Sequence, residues 1–141
     1  MYTKKMLVFV SLLMILIIGC SGSSTVKAET SKPFTLKIGQ TAEIKDSALK
    51  IKFINVTQDS RCPSDVQCII AGFVKVKVNI VQDGRDLGDF ELALADVPEL
   101  ASRNFAANST IKLQKVDPYP KHAQEIKQAD YSATFVFEQN K

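Results

Sequence analysis

The stretch "FVKVKVNIVQDGRDLGDFELAL", residues 73–94, restricts the fold more than any other part of the chain. Val74, Val76, Val78 and Ile80 alternate with Lys75, Lys77 and Asn79, the period of two required of a strand with one buried and one wet face. Asp83 and Gly84 follow, and Asp-Gly readily takes the positive φ values of a tight hairpin turn. Beyond them Phe90, Leu92 and Leu94 resume the alternation. The expectation is a β-hairpin whose strands end near Val81 and resume near Leu87.

The remaining pattern extends the hairpin into sheets. Leu49, Ile51 and Phe53 share one face, whereas Ile54 and Val56 follow the opposite parity, so a β-bulge near Phe53 and Ile54 is expected to keep them inward. Further strands are expected at 34–38, 41–45, 110–116 and 131–138, the last with Tyr131, Ala133, Phe135 and Phe137 on one face. Pro118 and Pro120 exclude a central strand around them, and 121–130 reads as a loop or a single helical turn. Seven or so short strands without a long amphipathic helix predict one all-β domain over 32–141, an antiparallel β-sandwich of immunoglobulin-like size. A small β-barrel is the alternative.

The first residues give the address. Lys4 and Lys5 precede an apolar run at 6–18, then Gly19 and Cys20, the layout of a secretion signal. The run is shorter than the roughly 20 residues that span a bilayer. Its ending, "LIIGC", resembles the lipobox of bacterial lipoproteins, which implies a signal peptide over 1–19 and acyl chains on Cys20 as the first mature residue. A plain signal cut later, after Ala28, is the other reading. Residues 20–31 are polar and are expected to form a flexible tether. The membrane is therefore the expected first partner, and the location is extracytoplasmic, in the cell envelope.

Removing the signal also alters the charge. The chain has 18 Lys and Arg against 15 Asp and Glu; without Lys4 and Lys5, 16 basic residues face 15 acidic ones. Lys50, Lys52, Lys75 and Lys77 lie along strands as solvated faces rather than as a cluster. No nucleic-acid partner is expected, because backbone binding needs a concentrated basic face.

With Cys20 given to lipid, Cys62 and Cys68 are the remaining thiols, and outside the cytoplasm they are expected to pair with each other. Their C-x5-C spacing is not that of thioredoxin-like redox motifs, and the chain lacks the further soft ligands a zinc site would take. The surrounding "DSRCPSDVQCIIAG", residues 59–72, resembles a motif of small bacterial lipoproteins and secreted proteins in which Arg-Cys-Pro, a Val, a second Cys and Ala-Gly precede a Val-rich strand. Arg61, Cys62, Pro63, Val66, Cys68, Ala71 and Gly72 are the matching positions, and Ile70 stands where such proteins often have Trp. The "LQKVDPYP" segment, 113–120, is similar to the same proteins; the resemblance implies no activity.

No chemical constellation is legible elsewhere. His122, the only histidine, lies in a polar stretch without a recognisable nucleophile. Asp83, Asp86 and Asp89 lack the spacing of an EF-hand loop and suit a hairpin turn. Asn55 and Asn108 match the glycosylation acceptor pattern, which a bacterial lipoprotein would not normally use. The expectation is a non-catalytic, lipid-anchored envelope module with a binding or accessory role toward an envelope protein, requiring no cofactor or metal. Its candidate interaction loop is Arg61, Pro63, Ser64, Asp65, Val66 and Gln67. Two alternatives stand beside it. One is an inhibitor of extracytoplasmic proteases that presents "PSDVQ" from the Cys62 to Cys68 loop. The other is an enzyme whose acid and base, from Asp59, Asp65 or glutamates, meet only in the fold.

Overall fold

The computed structural model describes residues 24–122 and 124–139. The expected signal peptide and the anchor at Cys20 lie outside the described residues.

The alternating stretch forms β5 (Val74–Gln82) and β6 (Arg85–Leu94), antiparallel and joined by Asp83 and Gly84 at φ 52° and 74°. Both residues are left-handed, as the tightest hairpin turn requires, and the strands run closer to the turn than expected. Before the hairpin come β1 (Thr25–Ala28), β2 (Pro33–Lys37), β3 (Thr41–Ile44) and β4 (Leu49–Asp59); after it come β7 (Ser102–Ala106), β8 (Ser109–Asp117) and β9 (Ser132–Gln139). One sheet has the order β1-β3-β4-β5-β6 and the other β2-β9-β8-β7. They form a β-sandwich; the two sheets do not close on each other, which removes the barrel alternative.

The core lies between the sheets. Ile51, Phe53, Val74, Val76, Val78 and Ile80 from one sheet meet Leu36, Ile111, Leu113, Phe135 and Phe137 from the other, all at most 1% exposed. Phe135 is the central contact, its ring 5.9 Å from Phe53 edge-on and 6.0 Å from Phe34. The bulge falls where the parity changes: the β4 to β5 register shifts between Phe53 and Asn55, which carries Val56 back into the core.

Two strands depart from the expectation. Residues 25–28, expected in the tether, are β1, paired parallel with β3, and Ala28 is buried, so the domain begins at Thr25 rather than 32. The open side of β3 supplies the hydrogen bonds that β1 lacks the apolar pattern to demand. Residues 102–106 form β7, a short strand at the margin of its sheet with three polar residues in five. Within segment 121–130, residues 121–122 and 124–127 are loop and Gln128–Asp130 is a 3-10 turn.

Candidate functional site

The register places three loops at one end of the sandwich: 60–73 between β4 and β5, 95–101 between β6 and β7, and 118–131 between β8 and β9. The Asp83 to Gly84 turn lies at the opposite end.

Loop 60–73 leaves the sheet as a continued ladder. Ser60 donates its N–H to the Phe73 carbonyl at 2.8 Å, and Cys62 to that of Ala71 at 2.8 Å. Gly72, at φ 73°, allows the two chains to run this close, since a Cβ there would overlap the Ser60 carbonyl oxygen. Cys62 and Cys68 are joined by a disulfide with their Cα atoms 5.9 Å apart. Inside the ring, residues 63–66 form a turn, with the Val66 N–H directed to the Pro63 carbonyl at 3.3 Å. The turn is held against loop 118–131: Ser64 N–H donates to Pro120 O at 3.0 Å and His122 N–H to Asp65 Oδ1 at 2.6 Å. That backbone donor holds the Asp65 carboxyl below its ordinary value.

Beneath the loop lies a polar knot. Arg61 Nε and Nη2 donate to Asp59 Oδ1 and Oδ2 at 2.9 and 2.6 Å, the bidentate fork of guanidinium on carboxylate. Nη1 donates to Val116 O at 2.7 Å, and Nη2 also reaches Pro118 O at 3.0 Å, beside the cis Asp117-Pro118 bond. The Tyr131 hydroxyl donates to Asp59 Oδ2 at 3.0 Å. The Arg61 and Asp59 side chains are 8% and 10% exposed. Burial would raise the Asp59 carboxyl, but the Arg61 side chain and backbone, joined by Tyr131, outweigh it and hold the group below its usual value. Tyr131 is pushed up to about 12, by burial first and then by the carboxylate it serves. Gln128 makes a further tie, donating Nε2 to Val56 O at 2.8 Å and accepting the Val56 N–H at 3.1 Å.

The expected interaction loop thus divides. Ser64, Asp65, Val66 and Gln67 are exposed and Pro63 is half-buried, whereas Arg61 is turned inward and unavailable for surface contact. The fold spends it on carbonyls 55 and 57 residues away. The most exposed apolar side chains of the loop are two that the expectation omitted, Ile69 at 104% and Ile70 at 77% of full exposure. Their signal was present: two adjacent β-branched aliphatics after a cysteine, outside any alternating strand.

The other candidates stay apart. His122 is exposed and bonds through its backbone. Asp86 accepts the Gly88 N–H at 2.8 Å and shares Asn79 with Asp89, so these carboxylates tie the hairpin together. Among the described residues, no group of three or more His, Cys, Asp or Glu stands close enough to hold a metal. A hollow of about 550 Å³ beside the knot is bordered by Gly72, Leu94, Asp96 and Tyr119, and its Lys115 and Asp117 are paired at 2.9 Å. The arrangement offers a tied loop with an apolar tip, above a knot in which Asp59, Arg61 and Tyr131 are engaged with one another. No family model, no curated protein and no solved structure matches the chain.

Proposed function

We propose that this protein is a lipid-anchored β-sandwich of the bacterial cell envelope that acts by contact, as a binding or accessory module, rather than by catalysis. One observation carries the reading: at the loop end, Asp59, Arg61, Tyr131 and Asp65 are engaged in fixing the loops, while the side chains turned to solvent include Val66, Ile69, Ile70 and Tyr119. A general acid or base needs a free protonation site within reach of a substrate. Asp59 instead is largely enclosed and held ionised by its donors. Aliphatic side chains on rigid loops suit contact with an apolar surface.

The address has separate support. The Cys62 to Cys68 disulfide suits an oxidising compartment, and the motif at 59–72 resembles those of lipoproteins and secreted proteins. A cut at Cys20 preserves β1, whereas a cut after Ala28 would strip that strand from its sheet. The inhibitor alternative draws less support, because residues 63–66 are a turn bonded to Pro120 and not extended backbone with free N–H and C=O groups.

The test begins with the mass of the mature N-terminal peptide from membranes. A peptide starting at acylated Cys20 is expected, and an unmodified start beyond Ala28 overturns the anchor. Cross-linking in the envelope should then join the parent to another component and lose that product on Cys20→Ser, since only multiple acyl chains hold a protein firmly to a bilayer. A hydrolytic activity abolished by Asp65→Asn in a folded protein would overturn the non-catalytic reading.

A further inference from the structure

We infer that the loop end of the sandwich rests on the lipid bilayer, with Ile69 and Ile70 immersed at the boundary of headgroups and acyl chains. The inference rests on the lipid-anchor reading above and deepens it by naming what the apolar tip touches.

The first support is asymmetry. The exposed large apolar side chains among the described residues are Val66, Ile69, Ile70, Val97, Leu100 and Tyr119, and every one belongs to the three loops at this end. Both ends carry exposed charges, Glu29, Lys45, Asp46, Asp83 and Arg85 at the opposite end and Asp65, Asp96, Glu99, Lys121 and Glu125 at this one, so what separates them is the apolar set alone. A soluble surface scatters its exposed apolar groups singly, and their collection at one pole marks that pole for contact.

The second support is the direction of the chain. Strand β1 runs parallel to β3 and antiparallel to β4, with Thr25 opposite Thr41 and Thr41 opposite Lys52. From Lys52, β4 continues to Asp59 and the loop, so the N-terminal end of β1, at Ser24 and Thr25, faces that same end. Cys20 lies four residues before Ser24 and reaches at most about 14 Å from it. The seven residues from Lys52 to Asp59 rise about 20 Å, and the ladder that continues through Ser60 and Cys62 carries Ile69 and Ile70 about 10 Å further. Anchor and tip therefore meet one plane only when the sandwich leans toward its β1 side, which brings Ile69 and Ile70 down and lifts Val97 and Leu100, on the β6 side, away from it.

The third support is rigidity. The disulfide, the Arg61 knot and the bonds of Ser64 to Pro120 and of Asp65 to the His122 N–H fix the loop, so immersing the isoleucines requires little further ordering of the backbone. Two side chains contribute marginal affinity compared with the acyl chains, so the expected effect is orientation and not retention.

The chain contains no tryptophan, so one introduced indole reports alone. Ile70→Trp, and as control Ser47→Trp at the opposite end, would be purified as full mature protein and reconstituted into phosphatidylethanolamine and phosphatidylglycerol vesicles, with or without bromines on the acyl chains. Immersion to about 5 to 10 Å predicts blue-shifted emission at position 70 and loss of about half of it to the bromines, with position 47 unaffected. Equal quenching at both positions, or at neither, overturns the inference. A blue shift at position 70 in native envelope vesicles but not in pure lipid also overturns it, in favour of a protein occupant. The mass of the N-terminal peptide from the same sample separates the two readings. Acylated Cys20 with a dry tip defeats this inference alone, and a quenched tip without acyl groups defeats the anchor alone.

Discussion

Replacing Arg61 by Met removes four side-chain donor contacts while retaining most of the aliphatic stem. Asp59 is then a nearly buried carboxylate held by the Tyr131 hydroxyl and the Arg61 position's own backbone N–H, and the carbonyls of Val116 and Pro118 lose this donor. Breaking a buried ion pair from one side costs about 3 to 5 kcal/mol, and the two surviving donors place this case near the low end, about 3 kcal/mol. For a domain of this size that lowers the melting temperature by about 12 °C. Urea and thermal unfolding followed by far-ultraviolet circular dichroism would measure it. Adding Asp59→Asn should return part of the loss, with a coupling of about 1 to 2 kcal/mol in the double-mutant cycle. A loss below about 1 kcal/mol for Arg61→Met, the range of exposed pairs, would refute the claim that the knot is a buried structural element.

Reduction of the Cys62 to Cys68 disulfide should lower stability by about 2 to 3 kcal/mol without unfolding the sandwich; a potential in the catalytic range of roughly −120 to −270 mV against glutathione would contradict a structural role. Gly72→Ala should cost at least about 2 kcal/mol, since a left-handed φ is joined there by overlap with Ser60, and an unchanged urea midpoint would show that the ladder opens freely. The lowered Asp59 carboxyl contributes stability that is complete above the unfolded value near pH 4 and is lost as pH falls through the folded one, so Asp59→Asn should flatten the acid limb of a stability profile. Tyr131 has the opposite sign: its contribution is complete below about pH 10 and fades as pH rises toward about 12, an alkaline limb that Tyr131→Phe should remove.

The sequence was most legible where one residue type answered to one physical demand. The Val and Lys alternation of β5, the Asp-Gly turn and the change of parity in β4 each state a local requirement, and hairpin and bulge stand where these place them. β1 and β7 were hidden because their partners hold them and not their own apolar pattern; each has at most one fully buried side chain. Arg61 reads locally as a charge beside a cysteine, and only the fold reveals its partners, with Tyr131 72 residues from Asp59 and Val116 55 from Arg61 itself. The loop was thus identifiable as a site, but which of its side chains face inward depends on contacts that spacing does not encode.

The polar ties of the loop end also give the sandwich a hinge. Gln128 to Val56, Tyr131 to Asp59, Arg61 to Val116 and Pro118, and His122 to Asp65 all cross from the strands or loops of one sheet to those of the other. At the Asp83 to Gly84 end the described side-chain bonds stay within a sheet, as between Asn79 and Asp86 or Asn104 and Thr110, and the crossing is left to the 29–32 connection, where Ser31 N–H donates to Phe137 O at 2.7 Å. Native-state opening should then proceed like a book bound along one margin. Amides near Leu49, Gln82 and Ser109 exchange with solvent through partial separation of the pages, while those near Val56, Val74 and Val116 wait for global unfolding. The bound margin is the one that carries the disulfide loop, so the sandwich can breathe without disturbing the geometry of its tip.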